Sequence, residues 1–248
     1  MITDGFSTDK AIIGPVDIYK ERGSYFDVCI CLFSPKLLEE LLALYPHRQA
    51  ASFGSVKGAV PVYAFEADGK TIGAFSMSVG SALAGTEIID VNYVAGASSF
   101  VVFGSAGALD KGKIGGRYVI PTSAYRDEGM SYHYAPPSDY IELPDNAVTA
   151  RIFDELNIPC VLGKTWTTDA FYRETRAKLE KRVSEGCLTV EMEMAGLAAV
   201  CSFHGFKLYS FLQAGDVLDG EEYDIAELYD ANHDLRKLHI AVEIAKRV

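Results

Sequence analysis

The chain has 248 residues, 49% of them hydrophobic and 11% aromatic, enough for a sizeable core, which excludes wholesale disorder. Its 34 acidic residues against 23 basic ones, a formal charge of −11, make a surface that repels polyanions and argue against a nucleic-acid partner. No apolar run approaches the roughly 18 residues of a membrane span, and the opening Met1-Ile2-Thr3-Asp4-Gly5 is no signal peptide, so a cytoplasmic chain with no membrane partner is expected.

In chain order, the apolar run Phe26 to Phe33 reads as a first strand, with Cys29 and Cys31 on one face. Ser34-Pro35 caps and opens a helix through Leu42. Val60 to Phe65 and Thr71 to Val79 flank Ala67-Asp68-Gly69-Lys70 and read as a hairpin. A helix over about Leu83 to Val94 precedes the strand Ser98 to Phe103, which runs into a small-residue loop, Gly104-Ser105-Ala106-Gly107. Arg117 to Ala124 and Cys160 to Trp166 are further strand candidates, and Arg173 to Ser184 is helical. Leu188 to Val190 leads into a helix from about Glu191 to His204; Phe206 to Leu212 is the last strand, and Glu221 to Val248 is mostly a C-terminal helix. This alternation predicts one α/β domain over 1–248 around a largely parallel sheet. Five cysteines without a CxxC or Cys/His pair, and five histidines without HExxH-like spacing, read as reduced thiols and no metal site.

Ligands of such sheets gather at the carboxyl ends of the strands, and the unusual segments sit there. Gly104 to Gly107 allows close backbone approach, and its amides with the Ser105 hydroxyl suit an anion, although a structural turn explains such a loop as well. Glu191 and Glu193 bracket Met192: carboxylates at a helix start are favoured by the dipole, and equally suit the vicinal hydroxyls of a sugar. Asp216 after Ala214-Gly215 is either a turn cap or a general acid whose pKa burial raises. Phe171 and Tyr172 are either core or a stacking platform for a flat heterocycle.

Together these segments resemble the nucleoside phosphorylase family of purine nucleoside phosphorylases, uridine phosphorylases and methylthioadenosine nucleosidases. Four strings carry the resemblance: Phe103 to Leu109, Thr168 to Tyr172, Val190 to Gly196, and Ala214-Gly215-Asp216, with Asp216 twenty-three residues after Glu193. A fifth stretch, Tyr125 to Gly129 with Ser131 to Tyr134, is similar to one at the site mouth of uridine phosphorylases. The resemblance implies a three-layer α/β/α fold with a central mixed, largely parallel sheet. It also implies phosphate-dependent cleavage of a purine-leaning nucleoside to free base and ribose 1-phosphate, as in nucleotide salvage. Asp216 would be the proton donor; Glu193, Met192 and Glu191 would hold the ribose, and Phe171 and Tyr172 the base. Gly104, Ser105 and Gly107 would hold phosphate, with Lys57 reaching a neighbouring subunit's site in a homo-oligomer, dimer or hexamer. No cofactor beyond inorganic phosphate as co-substrate, and no metal, is implied.

The chain departs from the family pattern where phosphate is bound. Gly14-Pro15-Val16-Asp17 matches the usual Gly-Asp-Pro segment only loosely, with Lys20 or Arg22 for its arginine and Arg126 as a further candidate cation. A second phosphate arginine is replaced by Val102, as in the nucleosidase branch. Hydrolysis by water, uridine phosphorolysis and a nucleoside-binding protein without catalysis are the competing readings.

Overall fold

A computed structural model describes residues 4–55, 58–220 and 223–248; Met1 to Thr3, Lys57 and the start of the expected C-terminal helix at Glu221 lie outside the described residues. The elements are α1 (Pro15–Ile18), β1 (Val28–Leu32), α2 (Pro35–Leu44), β2 (His47–Ser55), β3 (Gly58–Ala67), β4 (Lys70–Ser76), α3 (Ser81–Ala95) and β5 (Ser99–Ala108). There follow α4 (Lys111–Ile114), β6 (Tyr118–Asp127), α5 (Ser131–Tyr134), β7 (Tyr140–Glu142), α6 (Asn146–Glu155), β8 (Cys160–Thr168), a 3₁₀ turn (Phe171–Arg173) and α7 (Arg176–Ser184). The chain ends with β9 (Cys187–Glu191), α8 (Met194–His204), β10 (Lys207–Val217), α9 (Leu228–Asn232) and α10 (Leu235–Arg247).

Local chemistry accounts for several boundaries. Ser34 caps α2 by accepting from the Leu37 amide, with Pro35 in the first turn. Asp68 and Gly69 both take positive φ, the two-residue turn that joins β3 to β4 without splaying the strands. Along β1, Cys29 and Cys31 enter a cluster with Ile88 of α3 and Leu197 of α8. Val28, Ile30 and Leu32 enter another with Leu41 of α2, Phe153 of α6 and Ala241 of α10. Helices thus cover both faces of this part of the sheet. All five cysteines are free.

The sheet is mixed, as expected: β1–β4, β1–β5, β5–β10, β6–β8 and β8–β9 are parallel, while β2–β3, β3–β4, β5–β9, β6–β7 and β6–β10 are antiparallel. One half curls on itself: β5, β9, β8, β6 and β10 pair in turn, and β10 returns to pair with β5. That closure corrects two expectations. Gly104 to Gly107 is not a loop after β5 but its last stretch, and Gln213 to Val217 belongs to β10, because the β5–β10 ladder continues to the pairs Asp216–Gly107 and Val217–Ala108. The expected C-terminal helix is broken into α9 and α10. Among the described residues, no helix is long and apolar enough to cross a membrane.

Candidate active site

Two joined cavities open where β5, β9 and β10 end. The first, about 340 Å³, lies between the start of α2, the Gly104-Ser105 part of β5 and the α9–α10 connection. The second, about 550 Å³, lies between Gly107, Asp216 and the Phe171–Arg173 turn. Ser105, Glu191 and Met192 line both.

The shared wall is the β9–α8 junction. Glu191 ends β9, buried, and its carboxylate accepts from the Glu193 and Met194 amides, each at 2.7 Å, and from the Thr167 hydroxyl at 2.6 Å. Thr167 in turn accepts from the Ala195 amide at 3.0 Å, so β8 and β9 together fasten the first turn of α8. With its oxygens so engaged, Glu191 fixes the junction. Glu193 accepts at Oε1 from the Gly80 amide, 2.7 Å away, which Gly80 presents from φ +98°, a conformation open to glycine. Ser81 ties the same turn to α3 by donating to the Met192 carbonyl at 2.9 Å. Burial raises both carboxyls above the ordinary range; the charge on Glu191 pushes Glu193 up further, so the proton of this pair belongs on Glu193.

Asp216 stands in β10 beside a bulge. Gly215 is the extra residue, which re-aims the next side chain into the second cavity. Its partner Gly107 leaves the room: a Cβ there would come within 2.5 Å of Leu218, 2.9 Å of Val190 and 3.4 Å of the Asp216 carboxyl. Asp216 Oδ2 accepts from the Tyr223 hydroxyl at 3.0 Å, yet burial raises its pKa. Glu174, across the same cavity, is pushed up to about 7 by burial and by the Asp216 charge. Burial thus holds both carboxyls of this pocket above the ordinary carboxylate range. Phe171 and Tyr172 lie against each other, centroids 3.9 Å apart, 51% and 88% exposed, forming the outer wall. Arg176 anchors that wall by donating to the Leu218 and Gly220 carbonyls.

Gly104 lines the first cavity, Gly107 the second and Ser105 both; the Ser105 hydroxyl donates to the Asn232 amide oxygen. Lys57 cannot be placed, being outside the described residues. The other candidate cations are elsewhere. Arg126 is buried and spends its donors on Ser131, Ser138 and the Ala135 and Pro136 carbonyls, and its guanidinium lies 4.1 Å from the Tyr132 ring centroid. It and the rest of Tyr125 to Tyr134 line neither cavity, nor do Gly14 to Asp17, Lys20 or Arg22. Val102 is wholly buried in the cluster beneath α3 and α8. Sequence reasoning missed Glu174 and Tyr223 in the second cavity, and Ser34, His233 and Lys237 in the first. Among the described residues no cluster of three or more His, Cys, Asp or Glu is placed to hold a metal ion.

A sequence model described as the phosphorylase superfamily matches residues 27–245. Among curated proteins, the DeoD-type purine nucleoside phosphorylase of Exiguobacterium sibiricum is 30% identical over 157 residues, 60% of this chain and 65% of that protein. The same-named proteins of an Exiguobacterium species and of Bacillus cytotoxicus are 29% and 25% identical, over 51% and 60% of this chain. The matches span 55% to 65% of these three relatives' own length.

Proposed function

From a chain that belongs to the phosphorylase superfamily, we propose a nucleoside phosphorylase that cleaves the N-glycosidic bond of a purine nucleoside with inorganic phosphate. The observation that carries this reading is the pair of cavities meeting at Met192, with the Glu193 carboxyl on one side and the Asp216 carboxyl on the other. A nucleoside has the same division: a flat base and a polar sugar joined by one bond.

In this reading the base lies in the second cavity against Phe171 and Tyr172, and the ribose over Met192 with its hydroxyls donating to Glu193. Glu191 holds that turn in place. A phosphate oxygen, seated by Ser105 and the Gly104 backbone, forms its bond to C1′ as the C1′–N9 bond breaks. The electron pair leaves on the base, and Asp216 delivers its proton to N7, so the products are ribose 1-phosphate and free base. Burial raises the Asp216 pKa, the direction that suits a proton donor. The transition state is oxocarbenium-like, and the enzyme's part is to match its charges. The names of the relatives and the absence of Tyr125 to Tyr134 from both cavity walls favour a purine over uridine. The exposed Val79 and Leu83 beside the Glu193 turn favour a second copy covering the sugar end, in a homo-oligomer.

Hydrolysis is the second reading, favoured by the burial of Val102 and by the lack of any arginine among the described residues that line the first cavity. Chromatography of base release from inosine, adenosine, methylthioadenosine and uridine, with and without phosphate, separates the two. Purine release only with phosphate, together with ribose 1-phosphate, is expected. Equal release without phosphate assigns the protein to hydrolysis, and release from no substrate refutes both.

A further inference from the structure

The first cavity holds a cation that neither the motifs nor the mechanism above uses. Lys237, in the first turn of α10, is 1% exposed yet lines this cavity. Its Nζ lies 6.0 Å from the centroid of the Phe103 ring, and among the described residues it makes no side-chain hydrogen bond or close ion pair, the Asp234 charge acting on it from a distance. With the rest of the side chain buried, the cavity is where its ammonium faces. The groups around it suit an anion. The start of α2, a ten-residue helix, faces the cavity through Ser34 and Pro35 and brings the positive end of its dipole. The Ser34 hydroxyl and His233 Nδ1 share a hydrogen bond at 2.8 Å, and Ser105 stands on the opposite wall.

We propose that Lys237 is the residue that holds the phosphate co-substrate, its ammonium aimed from α10 at an anion seated between Ser105 and the start of α2. The proposal rests on the phosphorolytic reading and supplies the cation that reading lacks in this chain. The other titratable groups facing Lys237 are Glu191 and Glu193 from the β9–α8 junction, and His233 and Asp234 from the α9–α10 connection. Asp234 is drawn away, paired with Arg236 at 2.7 Å and accepting from Gln213. Glu193 carries the proton of its pair, which removes one negative charge from the anion's surroundings. Burial lowers the Lys237 pKa to about 8, so it is still mostly charged at neutral pH, and an anion beside it stabilises that charge.

The test is Lys237→Met, which keeps the length of an apolar stem among Leu37 and Phe103, with Lys237→Arg as the charge-conserving companion. Two readouts are taken on the intact protein: direct binding of inorganic phosphate, by equilibrium dialysis with labelled phosphate, and the KM values for phosphate and inosine. Thermal unfolding confirms that both variants fold. Loss of a charge-assisted contact is expected to weaken phosphate binding about 10- to 100-fold and to raise the phosphate KM in step, with the inosine KM within about twofold. Partial recovery of phosphate affinity in Lys237→Arg supports a role for the charge. Unchanged phosphate binding in a folded Lys237→Met overturns the proposal, as does a wild type that binds no phosphate. A wild type that binds phosphate through Lys237 but releases no base leaves the proposal standing and refutes the catalytic reading instead.

Discussion

Replacing Asp216 by Asn tests the proton donor with the least disturbance to the fold. Asp216 is half-buried, its hydrogen-bond partner is the Tyr223 hydroxyl at 3.0 Å, and an Asn oxygen still accepts that bond. The substitution also removes a charge that repels Glu174, so the stability change should stay within about 1 kcal/mol. In the proposed reaction catalysis should respond differently, because an amide cannot supply a proton to a departing purine. General-acid catalysis is worth about 10²- to 10⁴-fold, which is about 3 to 5 kcal/mol of barrier. The assay is kcat/KM for inosine at saturating phosphate, beside a riboside of p-nitrophenol, a leaving group that departs without protonation. Asp216→Asn should lose two to four decades on inosine and less than about one decade on the nitrophenyl riboside. Equal losses on both substrates, or an inosine rate within about threefold of wild type, refute the assignment.

Three further outcomes follow from the geometry. Glu193 has a folded-state pKa raised above the ordinary carboxylate value, so it contributes stability at acid pH that is lost as pH rises from about 4.5 through neutrality. Glu193→Gln should therefore gain Tm relative to wild type at pH 9 compared with pH 5, while the inosine KM rises; a Tm difference independent of pH contradicts the buried pair. Thr167→Val removes a donor to Glu191 and the acceptor for the Ala195 amide, and should cost about 1 to 3 kcal/mol in urea unfolding with a fall in kcat. Arg126→Met strands several buried acceptors and should cost about 3 kcal/mol, yet leave the phosphate KM unchanged; a raised phosphate KM returns Arg126 to the site.

Much of the chain is legible from local chemistry. The β1–α2 unit is announced by an apolar run and a Ser-Pro cap, and the β3–β4 hairpin by Asp68-Gly69. Other features depend on distant partners. β2 is a sheet edge with a bulge between Gln49 and Ala51, so its residues show no clean alternation. Gly104 to Gly107 looks like a loop because small residues break the hydrophobic run; the β10 ladder keeps it a strand, and that pairing lies about a hundred residues away. The motif residues at the β9–α8 junction were readable because strand and helix meet there in a short string. Lys237 had a local signal, standing four residues before Ala241 and seven before Ile244 on the apolar stripe of α10, both of them buried. Its meaning depends on which cavity α10 covers.

The ring closure also explains why the site has its order of charges. Because β10 returns to β5 and β9 crosses β5 antiparallel at Gly107–Val190, three strand ends converge at one point. They arrive with unlike chemistry: a protonatable acid from β10, an anchored carboxylate pair from β9, and a bare small-residue edge from β5. The lysine of α10 lies at the far end. The proposed reaction uses that sequence of groups: a proton where negative charge leaves, the charge of the Glu191–Glu193 pair, held on Glu191, near where the sugar becomes cationic, and a cation where the anionic nucleophile waits. An open sheet with the same residues would place Asp216 and Ser105 on strand ends that need not meet. The pairing of Gln213 with Ser105 and of Asp216 with Gly107 holds the leaving-group end and the nucleophile end in one register. A variant that shifts this bulge, such as deletion of Gly215, should therefore abolish turnover even where the five-stranded ring survives.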